Sequence, residues 1–190
     1  MAGIAYSSLE AVAAARVSGY RYGHDFISDL GMPDSPLSPL MNTAFVVQGV
    51  LFLAGATLLV RARGQRPGVF TYCAAANAVG NVVVAAVPSG TEGIAWLHVS
   101  AAVLAIVGGN GAILAGWRLT SGLRAYRAAS VCLATLGLLG FAMLAAAATT
   151  SLTMILPSAT WERTSVYTII VWQVLSSLLL LRPGGAVRRQ

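Results

Sequence analysis

Five predominantly apolar stretches of this sequence are each long enough to cross a membrane. A helix needs about 20 residues to span the roughly 30 Å hydrocarbon core of a bilayer, and a backbone in that core must satisfy its own hydrogen bonds. A sixth candidate at the start is shorter and carries Glu10 and Arg16. The six helices are predicted near residues 2–18, 40–60, 68–87, 94–117, 127–149 and 163–181. The sequence therefore predicts an all-α integral membrane protein: one domain, residues 1–190, folded as a six-helix bundle with a short or truncated first helix and five full transmembrane spans.

The composition supports this class and excludes another. Hydrophobic residues make up 57% of the chain and charged residues 9%, whereas soluble domains carry about a quarter of charged residues. The formal charge is +6, and all twelve basic residues are arginine. Because so apolar a chain offers no soluble basic face, we expect the lipid bilayer as its surroundings and no nucleic-acid partner.

The charges alternate between the two sides of the predicted membrane. Nine arginines lie in three segments that contain no acid, which are 61–67, 118–127 and 182–190. All acidic residues except Glu10 lie in the alternate segments, which are 19–38, 88–93 and 150–162. Short loops rich in arginine stay in the cytoplasm. The pattern predicts a multi-pass protein of the cell membrane with a cytoplasmic C-terminus, and with the acidic segments facing outward.

The side chains that could carry chemistry are predicted to converge at the outward-facing end. His98 lies about one turn into the fourth span, Glu162 and Arg163 open the last helix, and Asp25 and Asp29 lie in the first outward segment. Ionisable groups at membrane depth are costly and usually mark a site or a paired network. The arrangement predicts a polar pocket that binds a lipid headgroup or another small ligand, or that supports an envelope partner. In that pocket Arg163 would read a phosphate or carboxylate, with His98 and Asp29 orienting it.

Two alternatives remain open at this stage. One is an intramembrane lipid hydrolase or transferase that uses His98 with Asp29 or Glu162 as an acid–base pair. The other is purely structural: Glu162 and Asp29 pair with Arg163 and Arg21, while His98 hydrogen-bonds a carbonyl. The sequence has no closely spaced set of metal ligands, so we predict neither a metal site nor a cofactor.

The outward segment before the second helix is predicted to be ordered rather than a free loop. Tyr22, Phe26, Ile27 and Leu30 fall at helical spacing on one face, which predicts a short helix or turn over the end of the bundle with these side chains inward. Gly31 is predicted to end that turn in a left-handed conformation.

The Gly108-Gly109-Asn110-Gly111 stretch in the fourth span predicts close helix packing. Small residues let neighbouring helices approach, and an amide in a span can hydrogen-bond across them. The same glycines are expected to interrupt the helix.

Three blocks of the sequence together resemble one family. They are Tyr22 with Phe26-Ile-Ser-Asp-Leu-Gly31 and Pro39-Leu-Met-Asn42; Val87-Pro88 with Leu97-His98 and Gly108-Gly-Asn110; and Trp161-Glu-Arg163 with Tyr167 and Trp172. They resemble the DUF998 family of multi-spanning bacterial and archaeal membrane proteins, over roughly residues 19 to 175. Two departures are Val87 in place of the family's phenylalanine, and a first span with only eighteen residues before Gly19.

The resemblance implies a fold and a topology but no reaction. It implies that the motif positions of the family are Ser28, Asp29, His98, Glu162 and Arg163. The family is also thought to be distantly similar to the six-span Frag1/DRAM/Sfk1 group, which is an analogy of fold that assigns no activity. All five motif positions fall on the side that the charge pattern independently places outward.

Overall fold

The computed structural model describes residues 2–149 and 155–181, and throughout these ranges the chain forms helices and turns without a strand. The α-helices are α1 (Ala2–Ala14), α2 (Ser38–Ala62), α3 (Val69–Ala86), α4 (Ala95–Thr120), α5 (Arg124–Thr149) and α6 (Ser158–Leu180). A short 3₁₀ turn, Ser28–Gly31, lies between α1 and α2. The predicted fold class, an all-helical bundle with a short first helix, is confirmed.

Within the described ranges, five helices, α2 to α6, are long and apolar enough to cross a membrane. Helix α6 begins at Ser158, five residues before the start predicted from the apolar stretch 163–181. The prediction placed Glu162 and Arg163 at the water boundary, whereas the helix follows Pro157 and carries both residues in its first turns. Helix α1 ends at Ala14, ahead of a turn at Gly19, where φ is +76°.

Helix α1 packs between α2 and α6. Its Tyr6 ring lies 6.0 Å from the ring of Phe45 on α2. Gly3 packs directly against Val174 of α6. Glu10, two turns later on α1, accepts a hydrogen bond from the hydroxyl of Tyr167, which lies earlier on α6. Helix α1 therefore runs antiparallel to α6 and fills the space between α2 and α6 over part of their length.

The glycines of α4 allow the close packing that the sequence predicts, but they do not interrupt the helix, which is continuous from Ala95 to Thr120. Gly108 lies against the backbone of α3 at Asn77. Asn110 is fully buried and donates from Nδ2 to the carbonyl of Ser165 on α6 at 3.0 Å. The backbone hydrogen bonds of a helix tolerate glycine where neighbouring helices pack closely, so only the predicted interruption is wrong.

Arginines mark one end of the bundle, named here the arginine end (connections 61–67 and 118–127). Arg63 donates to the carbonyl of Thr120 at 3.5 Å, which joins the two connections. Arg118 and Arg127 lie over the ring of Trp117, 4.9 and 5.0 Å from its centre. The opposite end, named the acidic end, is formed by residues 15–37, residues 87–94 and the start of α6. The structure thus separates the two kinds of connection, while the side of the membrane that each faces stays a prediction.

The segment before α2 covers the acidic end as an ordered turn. Ile27 and Leu30 are 1% and 0% exposed, as predicted for an inward face. Phe26 is partly buried. Tyr22 is 45% exposed, so its predicted inward position is wrong. The turn is a 3₁₀ helix of four residues and not an α-helix. The predicted spacing therefore gives a fully buried side chain only at Leu30 in the turn and at Ile27 just before it.

Gly31 does not adopt the left-handed conformation predicted for it, since its φ is not positive. Its role comes from a close approach. A Cβ at this position would collide with the side-chain oxygen of Asn42. The same amide donates from Nδ2 to the carbonyl of Gly31 at 3.0 Å. The glycine therefore lets Asn42 of α2 hold the end of the turn.

Candidate functional site

Arg163 is the centre of the polar network at the acidic end. It is 6% exposed, and its Nη1 donates to the backbone carbonyl of Asp25 at 2.6 Å. Its Nη2 donates to the hydroxyl of Tyr20. The guanidinium also lies over the ring of Tyr22, 5.2 Å from its centre. One side chain of α6 thus holds three points of the connection between α1 and α2.

The charge of Arg163 is paired with Glu10, which comes from α1. Arg163 Nε lies 3.7 Å from Glu10 Oε1, and the two side chains are 8% and 2% exposed. The same carboxylate oxygen accepts a hydrogen bond from the hydroxyl of Tyr167 at 2.7 Å. The sequence did not predict this ion pair. The only signal was a lone acid in the apolar stretch that became α1.

Tyr20 couples the arginine to the turn. Its hydroxyl donates to the carbonyl of Phe26 at 2.9 Å while it accepts from Arg163. Burial raises the pKa of Tyr20 above its usual range, so the phenol keeps the proton that it donates.

Glu162 binds backbone rather than an arginine. Its Oε2 accepts a hydrogen bond from the backbone N–H of Ile27 at 2.7 Å. Two residues earlier on α6, the hydroxyl of Thr160 donates to the carbonyl of Gly23 at 3.0 Å. Together these bonds dock the connection 15–37 onto the first turns of α6.

Asp29 lies within the 3₁₀ turn and is half-buried. Its Oδ2 accepts the N–H of Phe26 at 2.8 Å. Burial raises the pKa of Asp29, and the nearby charge of Asp25 raises it further. The neighbouring Ser28 begins the turn and is partly buried.

Asp25 pairs with Arg21, the residue that the structural alternative assigned to Asp29. The Asp25 carboxylate accepts the backbone N–H of Arg21 at 2.6 Å and lies 3.8 Å from its guanidinium. Both arginines therefore have other partners than the structural alternative assigned to them: Arg21 pairs with Asp25, and Arg163 pairs with Glu10. The reason is geometric, since a helical turn places Arg21 and Asp25 together while Glu10 reaches Arg163 only when α1 packs on α6.

A cavity of about 230 Å³ opens beside this network, and it is named the acidic cavity. It is lined by Val17, Ser18, Gly19, Tyr20, Asp25, Asp29, Leu30, Met32, Asp34, Ser35 and Pro36. Three of these residues are acidic and none is basic. The buried hydroxyl oxygen of Ser35 has no hydrogen-bond partner in the described structure. The cavity is thus bordered by acidic residues, and a buried hydroxyl without a partner lies in its wall.

His98 lies near the start of α4 and is 7% exposed. Its Nδ1 is 2.6 Å from the carbonyl of Val87. Because a carbonyl only accepts, Nδ1 carries the proton. Within the described residues, 2–149 and 155–181, no hydrogen bond or ion pair joins His98 to Asp29, Glu162 or Arg163. The contact matches the structural alternative, in which His98 bonds a carbonyl.

The structure thus brings four of the five candidate residues to one connection. Ser28 and Asp29 belong to the turn, Glu162 binds it, and Arg163 binds its flank. His98 holds the neighbouring connection at Val87. In the described part of the chain, no group of three or more His, Cys, Asp or Glu is placed to hold a metal ion.

Comparison with known proteins gives one match. No curated protein and no solved structure matches the chain. The predicted wider similarity to the Frag1/DRAM/Sfk1 group therefore stays a prediction. The profile of the family described as "Protein of unknown function (DUF998)" matches residues 1–179, nearly the whole chain. The polar network joins residues of the first and third of the sequence blocks that suggested this family, and the chain belongs to the DUF998 family.

Proposed function

We propose that this protein is a membrane-embedded binding protein whose acidic cavity takes a positively charged amine, either on a lipid headgroup or on a small soluble cation. The observation that carries the proposal is the lining of the cavity, with three carboxylates and no basic side chain. Its volume of about 230 Å³ suits a small headgroup and not a large substrate.

The contacts of Arg163 favour an amine over a phosphate. Two donors of this arginine bind the carbonyl of Asp25 and the hydroxyl of Tyr20. Its Nε faces Glu10 at 3.7 Å and has no hydrogen-bond partner among the described residues. A phosphate would have to displace these bonds before it reached the guanidinium. An amine, in contrast, would approach Asp29 without displacing the bonds of Arg163, and its charge would offset the cost of burying Asp29.

The contacts give less support to a lipid hydrolase or transferase. An acid–base pair needs its two groups within hydrogen-bond reach or bridged by one water. Here His98 bonds Val87, and Glu162 bonds the backbone of Ile27. Each side chain thus serves as a fixing point for a connection.

The proposal includes a location: the cell membrane, with the acidic end outward and the C-terminus in the cytoplasm. The distribution of arginines supports it, because the described arginine-rich connections share one end of the bundle. A reporter fused after Gln190 tests the orientation. Activity of a reporter that works only outside the cytoplasm would overturn it.

Binding of the amine tests the function. The purified protein in nanodiscs is titrated with ethanolamine, and in parallel with vesicles of phosphatidylethanolamine or phosphatidylglycerol. Ionised Asp29 attracts a cation, so affinity should rise with pH through the raised pKa of Asp29. Binding of ethanolamine alone identifies a soluble cation, and binding of phosphatidylethanolamine alone identifies a headgroup.

Two matched variants separate a site from a diffuse charge effect. Asp29→Asn keeps an acceptor for the Phe26 N–H but removes the charge, and it should weaken binding about tenfold. Glu92→Gln removes the same charge from an exposed residue of the same end and should leave affinity unchanged. Equal losses in both variants, or preference for phosphatidylglycerol, would overturn the proposal.

A further inference from the structure

A second cavity, at the arginine end, has a different shape and chemistry. It is a groove of about 300 Å³ between α2 and α6, named here the lateral groove. Leu51, Gly55 and Leu59 line one wall at helical spacing on α2. Gln173, Ser177 and Leu180 line the facing wall on α6. The groove thus lies along two spans rather than at the surface of a connection.

The position of α1 explains why this groove exists. Helix α1 separates α2 from α6 at the acidic end, and its Gly3 reaches the level of Val174. The groove is lined by residues of α6 that extend from Trp172 to Leu180, toward the arginine end. The groove thus lies beyond the reach of α1, toward the arginine end of the two spans.

The floor of the groove is aromatic. Phe52, Phe70 and Trp172 pack edge to face, with ring centres 6.2 to 6.5 Å apart. The rim is open, since Leu51 and Leu180 are 49% and 44% exposed. A groove with an apolar floor and an exposed rim on a membrane span meets the acyl chains of lipids.

The dimensions fit a chain that runs from the membrane surface toward its centre. From Leu51 to Arg63 the helix rises about 18 Å, at about 1.5 Å per residue. Half the hydrocarbon core is about 15 Å thick. An acyl chain in this groove would therefore have its headgroup beside the end of α2.

The positive charge at the arginine end favours an anionic headgroup. Arg63 lies one turn beyond Leu59, and it donates to the carbonyl of Thr120, which also lines the groove. The connections 61–67 and 118–127 contain six arginines and no acid. The lining also contains an unpartnered donor, the buried Nε2 of Gln173, within the described residues.

We propose that the lateral groove binds one anionic phospholipid, with an acyl chain between α2 and α6 and the phosphate at Arg63. The site is independent of the acidic cavity, which lies at the other end and is acidic. Arginine binds phosphate oxygens through paired donors, and basic pockets between spans bind anionic headgroups.

The experiment compares two lipids with identical acyl chains on the delipidated full-length protein in detergent. Phosphatidylglycerol and phosphatidylcholine are titrated separately, with native mass spectrometry for the number bound and thermal unfolding for stabilisation. We expect one phosphatidylglycerol to bind and to raise the melting temperature, and phosphatidylcholine to bind at least about fivefold more weakly. Equal binding of the two lipids, or binding of neither, would overturn the proposal.

Charge variants locate the phosphate. Arg63→Gln should weaken binding of phosphatidylglycerol about fivefold. Arg66→Gln, which removes the same charge from an exposed residue of the same connection, should leave affinity unchanged. Equal losses in the two variants would mean a diffuse attraction and would overturn the site.

Filling the groove locates the acyl chain. A Cβ at Gly55 meets no atom within 4 Å, so Gly55→Phe should fold and occupy the groove. It should abolish binding of phosphatidylglycerol while leaving lipid-free unfolding near that of the parent protein. If Gly55→Phe is destabilised without lipid, the test uses Ser177→Phe instead, which fills the groove from the opposite wall on α6. Retained binding in a folded groove-filling variant would contradict the proposal.

Discussion

Arginines at the two ends of this bundle have opposite surroundings. At the acidic end, Arg163 is 6% exposed, and its donors serve Asp25 and Tyr20 while its charge faces Glu10. At the arginine end, Arg118 is exposed and lies over the ring of Trp117. Arginine therefore fixes a connection through specific bonds at the acidic end and lies on an exposed surface at the arginine end.

The difference comes from how deeply each charge is buried. A buried charge is tolerated only when it is paired and hydrogen-bonded, so Arg163 requires partners from both α1 and the connection 15–37. An exposed arginine is solvated and gains little from any one neighbour. We infer that the acidic end is held rigid by specific bonds, whereas the arginine end remains free to contact lipid.

The largest expected effect is the loss of one partner of the buried pair. Glu10→Leu leaves the charge of Arg163 buried without its counter-ion, which should cost about 3–5 kcal/mol of unfolding free energy. Denaturant unfolding in detergent micelles measures this change. Replacing both partners in Glu10→Leu/Arg163→Leu should cost less than the sum of the two single changes, because neither charge is then left alone.

Arg118→Gln is the matched control at the other end, and it should change the unfolding free energy by less than about 1 kcal/mol. A loss as large as that of Glu10→Leu would contradict the comparison between the two ends.

Smaller effects are expected from alanine substitutions at two glycines, one packed against a neighbouring helix and one facing open space. A Cβ at Gly80 would collide with the backbone of α4 at Ala101 and Ala105, so Gly80→Ala must push α3 and α4 apart. The expected cost is about 1–3 kcal/mol. Gly55 faces open space, so Gly55→Ala should stabilise its helix by about 0.5–1 kcal/mol. Thermal unfolding of both variants checks the contrast, and shifts in the same direction would contradict it.

The smallest expected effect is a dependence of stability on pH. Because the pKa of Asp29 is raised in the folded protein, the folded state holds this proton more tightly than the unfolded state does. The unfolding free energy should therefore fall as pH rises from about 4, the ordinary value for aspartate, through the raised pKa.

The Asp29→Asn variant isolates this contribution. Unfolding from pH 4 to 8 should show a flatter profile for Asp29→Asn than for the parent protein, while Glu92→Gln should keep the parent slope. A profile unchanged by Asp29→Asn would show that another group sets the dependence.

The sequence predicted the residues of the polar network better than their partners. Four of the five motif positions do meet at one connection, because two of the sequence blocks, the turn before α2 and the start of α6, lie at the same end of the bundle. The partner of Arg163 was missed, since a lone Glu10 in an apolar stretch has no local pattern that points to α6. Tyr22 was also assigned to the wrong face, because a 3₁₀ turn does not continue the α-helical spacing.

The sequence by itself determined the number and kind of helices and the division of charge between the two ends. Both follow from local properties, the length and hydropathy of each stretch and the order of the charged connections along the chain. Only the tertiary structure decided that Glu10 pairs with Arg163 and that Glu162 binds the backbone of Ile27. It also decided that a groove is present between α2 and α6. These features depend on which helices pack together and how far α1 extends beside α6, and such long-range packing leaves no local periodicity in the sequence.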